Sequence, residues 1–161
     1  MSENKVKTLR WVEDHLEMID QRILPADFQY ISYNSAASVA DGIRSMVVRG
    51  APAIGCAAAY GVALEALSLQ DDSMDEFSKS MEHAFKILLQ SRPTAINLFW
   101  AIDRMQSKMN ENVSQTPKEI ANTLLTEAHK ILNQDIEINR KMGSFGAELL
   151  PDGARVLTHC N

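Results

Sequence analysis

The sequence holds only two cysteines, Cys56 and Cys160, far apart in the chain and with no CxxC pair or other zinc-ligand spacing. A disulfide scaffold and a structural metal are excluded as organising devices, and each cysteine has to be read alone. Basic charge is also scarce. The 16 Lys and Arg stand against 21 Asp and Glu, for a net charge of -5. That balance excludes a broad nucleic-acid or anionic-membrane surface and leaves only local anion recognition. The N-terminal stretch Met1 to Lys7 lacks the apolar core of a signal peptide, and no uninterrupted apolar run of roughly 18 residues follows it. These absences predict a cytoplasmic chain that binds neither nucleic acid nor membrane and whose substrate is small.

What is present is an ordinary globular composition, 45% hydrophobic and 23% charged over 161 residues, enough for one domain with a real core. Short β-like runs come first, Leu9 to Val12, His15 to Asp20 and Phe28 to Ser32, broken by Pro25 and polar turns. They predict a small antiparallel sheet. Asn34-Ser35 supplies N-cap residues for a helix through Val39, Ile43 and Val47, which stops at Arg49-Gly50.

The next helix runs from Pro52 to about Leu69 and is dense in small residues, Ala53, Gly55, Cys56, Ala57, Ala58, Ala59 and Gly61. Backbones can approach such a helix closely, which predicts a buried central element with Cys56 as packing. Ser73-Met74-Asp75-Glu76 reads as a capping box before a helix that ends near Ser91. A further helix follows Arg92-Pro93-Thr94. Thr116-Pro117-Lys118-Glu119 then starts a long one whose stripe of Leu124, Ala128, Ile131, Ile138, Met142, Phe145 and Leu149 reaches about Leu150. Asp135 and Arg140 on that helix read as structural pairing or solvent contact, and Met105, Met109 and Met142 as core filling. His15, His83 and His129 have no ligand spacing.

The segment richest in chemistry is Val47-Val48-Arg49-Gly50-Ala51-Pro52-Ala53-Ile54-Gly55. It puts a guanidinium and a flexible glycine just before a proline that opens a helix. Free backbone N–H groups of Gly50 and Ala51, the positive end of the helix dipole and Arg49 would converge on an anion such as a phosphate ester. An arginine in this setting can equally cap a turn and pair with a carboxylate, and the spacing leaves both readings open. Arg92-Pro93 repeats the pattern at a second helix entrance.

After Pro151-Asp152-Gly153, the segment Ala154 to Asn161 reads as a strand running to Cys160. A lone strand makes no sheet, so it is expected to be the first strand of a second, α/β domain. The predicted class is thus α+β: residues 1–150 form a small antiparallel sheet plus a mostly helical domain, and residues 151–161 begin a truncated Rossmann-like domain. His159, next to Cys160, would face the other side of a regular strand, so no Cys-His pair is expected.

Taken together, Val48-Arg49-Gly50-Ala51-Pro52-Ala53-Ile54-Gly55, Ser91-Arg92-Pro93-Thr94-Ala95-Ile96-Asn97-Leu98 and Thr158-His159-Cys160-Asn161 closely resemble the 5-methylthioribose-1-phosphate isomerase family, over the whole chain. The resemblance implies an aldose-ketose isomerase of methionine salvage that uses neither a nucleotide nor a metal cofactor and forms a homodimer at full length. It also implies that Arg49, Gly50 and Ala51 hold the substrate phosphate, that Arg92 adds a second cationic contact, and that Cys160 stands beside the reacting carbons. The family's catalytic aspartate would lie beyond Asn161, so residues 1–161 alone would be inactive. Ribose-1,5-bisphosphate isomerases and regulatory subunits of a translation-initiation exchange factor share the superfamily, and they supply the two alternatives: a different sugar phosphate, or binding without chemistry.

Overall fold

Trp11 and Leu16 face each other across a tight hairpin in which strand β1 (Leu9–Val12) runs antiparallel to β2 (His15–Ile19), with Glu13 turning the chain at φ 50°. Strand β3 (Tyr30–Tyr33) pairs antiparallel on the other side of β2, giving the order β1-β2-β3. Side chains alternate across such a sheet, so Leu16 and Met18 are fully buried against the helices while Glu17 between them stays half-buried. The computed structural model describes residues 6–157.

Five helices follow: α1 (Ala36–Arg44), α2 (Ala51–Ser68), α3 (Met74–Leu89), α4 (Ile96–Asn110) and α5 (Pro117–Glu148). Their starts obey capping chemistry. The Ser35 and Thr116 side chains each accept from the N3 backbone, and the N3 side chain returns the bond. Ser73 accepts from the Glu76 N–H, but its hydroxyl donates to the Glu76 carboxylate, so the capping box expected there closes through side chains.

Helix α2 is the centre. Apolar on every side, it is wrapped by α1, α3, α4 and α5, and residues from Ile54 to Leu64 are buried without a break. Small residues set the distances. A Cβ at Gly61 would lie 3.1 Å from Leu88 of α3 and 3.2 Å from Val39 of α1. This helix is long and apolar enough to cross a membrane by composition alone, yet 67% of it is buried inside the fold, as in a core helix.

The architecture is α+β, a three-stranded antiparallel sheet on a mostly helical body. Three expectations change. Helix α1 ends at Arg44 and not at Arg49-Gly50, because the chain turns out of the helix at Met46, which is left-handed at φ 62°. The apolar stripe of α5 is buried only through Ile131; beyond it Ile138, Met142, Phe145 and Leu149 are 60–84% exposed, so Met142 fills no core. Periodicity locates an apolar face but does not say how far the partner extends. Residues Ala154 to Leu157 form no strand, consistent with the need of a strand for a neighbour to pair with; the remainder of that expected strand, with His159 and Cys160, lies outside the described residues.

Candidate functional site

Arg49 and Gly50 form the entrance to α2. Gly50 is the N-cap at φ 87° and ψ 126°, a left-handed-side backbone that glycine adopts without a Cβ penalty. Ala51 is the first helical residue and Pro52 the second, one place later than the sequence predicts, and no side chain caps this end. Ile54 N–H closes the first turn onto the Gly50 carbonyl. The Ala51 and Ala53 amides precede any possible intrahelical acceptor, so two donors and the positive end of an 18-residue dipole open at one spot.

The side chain of Arg49 sharpens this picture. Its Nε is buried without a hydrogen-bond partner, and among the described residues no carboxylate pairs with its guanidinium. The competing reading, an arginine that merely pairs with a nearby carboxylate, is therefore not what the fold contains. A buried N–H donor without an acceptor costs about 1–3 kcal/mol, so its retention calls for a partner.

Arg92 is half-buried and sits in a turn closed by the Ala95 N–H on the Arg92 carbonyl, 3.1 Å. Pro93 does not open α4 as the sequence suggests. The N-cap is Ala95, which has no side-chain cap, and the helix begins at Ile96. The two entrances are nevertheless joined: a Cβ at Gly55, in the second turn of α2, would come within 2.8 Å of the Asn97 carbonyl in the first turn of α4. Two uncapped helix starts, each preceded by an arginine, thus meet at the same end of the domain.

Beside this end lies a cavity of about 580 Å³ between β1, α2 and α5, lined among others by Trp11, Ala53, Cys56, Tyr60, His129 and Ile136. Trp11 stacks on Tyr60 with centroids 5.5 Å apart and planes 19° off parallel. The indole N–H donates to the Glu13 carbonyl at 2.8 Å, and the Tyr60 hydroxyl is hydrogen-bonded to His129 Nδ1 at 2.8 Å. Burial pushes the Cys56 thiol up to about 12 and holds His129 below the usual imidazole range, so both are neutral near pH 7. Asp135 also lines the cavity. Burial raises its carboxyl, which accepts a hydrogen bond from Asn139 Nδ2 at 3.0 Å.

The sequence reading missed this cavity. Asp135 and Arg140, read there as structural pairing or solvent contact, both line it; Cys56 is buried packing, as predicted, and also part of the wall. Cys160 lies outside the described residues. Among the described residues no cluster of three or more His, Cys, Asp or Glu could hold a metal ion.

A three-stranded antiparallel sheet on a five-helix body, with two arginine-preceded helix starts side by side, defines the class as an α+β domain. The chain belongs to the Initiation factor 2 subunit family, whose sequence profile matches residues 47–161. It is similar to the methylthioribose-1-phosphate isomerase of Albidiferax ferrireducens, 58% identical over 97% of this chain and 44% of that relative. Two solved structures share the fold. The 5-methylthioribose 1-phosphate isomerase from Pyrococcus horikoshii superposes with a TM-score of 0.89 at 40% identity, over 93% of this chain and 42% of that one. The delta subunit of translation initiation factor eIF-2B from A. fulgidus gives 0.84 at 38% identity, over 92% and 43%. The chain therefore spans less than half the length of the relatives it matches.

Proposed function

We propose that these 161 residues form the N-terminal part of a methylthioribose-1-phosphate isomerase, in which Arg49 and the Gly50 and Ala51 amides bind the substrate phosphate and Arg92 adds a second cationic contact. The observation that carries this reading is the buried, unpartnered Nε of Arg49 at the uncapped start of α2. A phosphate oxygen there satisfies the guanidinium, the free amides and the helix dipole together. The 58% identity to a relative of that name supports the choice of sugar phosphate.

Isomerisation of the sugar phosphate opens the ring and moves a hydrogen from C2 to C1. Because the phosphate ester stays on C1, ring opening cannot release a free aldehyde, and the site must support an activated species. Cys160 is assigned the place beside C1 and C2, where a thiol can relay a proton or stabilise developing charge. The Rossmann-like domain proposed to begin near residue 151 supplies the carboxylic acid. The uncovered stripe of Ile138, Met142, Phe145 and Leu149 supports such a packing partner for α5. At full length the protein is proposed to act as a cytoplasmic homodimer.

The test is turnover of 5-methylthioribose 1-phosphate by the full-length protein, with Cys160→Ser beside it. Turnover that is nearly abolished in the variant is expected. No turnover by folded wild-type protein would overturn the isomerase reading, and full activity in Cys160→Ser would overturn the role of that cysteine. The likeness to the translation-factor subunit supports a second reading, a regulatory subunit that binds a sugar phosphate without transforming it; saturable phosphate-ester binding with no product would favour it.

A further inference from the structure

We infer that Asp20 and Arg22 are positioning residues for the phosphate site: their ion pair holds the Gln21 amide on the Val47 carbonyl and so fixes the backbone from which Arg49 reaches its ligand. This rests on the reading of Arg49 as the phosphate-binding arginine and goes beyond it, because it assigns that arginine's placement to a loop of the sheet.

Arg49 belongs to no helix or strand. It stands in the connection between α1, which ends at Arg44, and α2, which begins at Ala51, so neither helical ladder fixes its backbone. The connection is nevertheless drawn tight. Met46 is left-handed at φ 62°, a conformation that a residue with a Cβ keeps only where its surroundings over-determine it. Both backbone groups of Val47 are engaged: its N–H donates to the Gly42 carbonyl at 2.9 Å, and its carbonyl accepts from the Gln21 N–H at 3.0 Å. Val47 and Val48 are both buried in the core. Arg49 therefore follows directly on two anchored residues.

Both anchors lead back to the sheet. Gly42 lies against Tyr33 of β3, where an added Cβ would stand 2.8 Å from the ring. Gln21 lies just past β2, between Asp20 and Arg22, and those two flanking residues hold each other. One carboxylate oxygen of Asp20 accepts from the Arg22 backbone N–H at 3.1 Å and from Arg22 Nε at 2.8 Å, and the other accepts from Arg22 Nη2 at 2.7 Å. The Asp20 N–H also continues the β2-β3 pairing by donating to the Gln29 carbonyl at 3.0 Å. The peptide joining Asp20 to Gln21, whose N–H meets Val47, is thus held from both sides. Asp20 is only 2% exposed. A carboxylate so buried is a poor source of net stability, and what a forked pair supplies in its place is one defined geometry.

The experiment measures Tm, Kd for inorganic phosphate, and kcat and KM for 5-methylthioribose 1-phosphate on the full-length protein. It compares wild type with Asp20→Asn, Arg22→Lys, Arg22→Ala, Arg49→Ala and the pair Asp20→Asn with Arg49→Ala. Arg104→Ala, which breaks a buried ion pair elsewhere, is the control for lost stability and should lower Tm while leaving KM in place. Asp20→Asn and Arg22→Ala are each expected to raise Kd and KM by about 10-fold or more with kcat within about 3-fold, and Arg22→Lys should recover part of the loss. Added to Arg49→Ala, Asp20→Asn should raise KM by less than about 2-fold further, because the two act through one contact. Should Asp20→Asn fail to fold, the two Arg22 variants decide. Wild-type Kd and KM in either folded variant, or full additivity with Arg49→Ala, would overturn the positioning role and leave Arg49 as the phosphate ligand. Phosphate binding that is absent from wild type, or unchanged in Arg49→Ala, would overturn the phosphate reading and this inference with it.

Discussion

Gly55 of α2 lies so close to Asn97 of α4 that a Cβ added to it would stand 2.8 Å from the Asn97 carbonyl oxygen and 3.3 Å from its carbon. The atom in the way is backbone, so relief requires a shift of a helix and not of a rotamer. This contact sets the spacing of the two helix starts that Arg49 and Arg92 precede. Gly55→Ala is expected to destabilise the domain by about 1–3 kcal/mol and to weaken sugar-phosphate binding beyond that. Gly143→Ala and Gly146→Ala, where nothing lies within 4 Å of the added methyl, should instead stabilise by roughly 0.5–1 kcal/mol each. Thermal unfolding of the three variants separates the cases by sign.

Arg49 should not be replaceable by lysine. Its Nε is the buried, unpartnered donor, and a lysine places a single ammonium point where a planar fork is required. Arg49→Lys is expected to raise KM for the sugar phosphate by about 10-fold or more, and Arg49→Ala further. Because Arg49 has no carboxylate partner among the described residues, both variants should unfold near the wild-type temperature. Paired KM and Tm measurements check this, and a large fall in Tm would make Arg49 structural.

Much of this fold is legible in the sequence, because caps, prolines and apolar stripes are local signals. Ser35, Ser73 and Thr116 mark helix starts within a residue of where they occur, and the alanine-glycine density of α2 identifies the buried centre. The phosphate-site candidate is legible for the same reason, since Arg49 to Pro52 form one continuous segment. The cavity is not. Trp11, Cys56, Tyr60, His129 and Asp135 come from three elements, and only the antiparallel passage of α5 along α2 brings them together. Nor does the stripe of α5 reveal by itself that its partner ends at Ile131.

Glu127 offers a contrast between buried and exposed charge. Its carboxylate is 8% exposed and takes a bond of 2.7 Å from Arg104 Nε, with Lys130 3.6 Å away. Arg104→Ala leaves a buried carboxylate short of its main partner and should destabilise by about 3 kcal/mol. Arg44→Ala breaks a pair with Asp41 that is solvent-exposed on both sides, and should cost under about 0.5 kcal/mol. Urea denaturation of the two variants reads the difference. Comparable losses would show that burial of Glu127 contributes nothing.

Stability should fall on mild acidification, and His129 should be a cause. The folded protein holds this imidazole below its ordinary value of 6.5 through burial, next to the Tyr60 hydroxyl, with the Cys56 thiol and the Asp135 carboxyl lining the same cavity. The unfolded chain takes up a proton first as pH drops, so the contribution is complete above about 6.5 and is lost as pH falls through the unfolded value toward the folded one. Asp135 works in the other direction. Its folded value is raised above 3.8 by burial, so its ionisation is disfavoured in the fold, and its contribution is lost as pH rises past the unfolded value. His129→Gln should therefore flatten the decline in Tm between pH 7 and 5, while Asp135→Asn should raise Tm at pH 7 and leave that slope in place. A wild-type Tm that does not change from pH 7 to 5 would overturn the account of His129, and a lower Tm for Asp135→Asn at pH 7 would overturn that of Asp135.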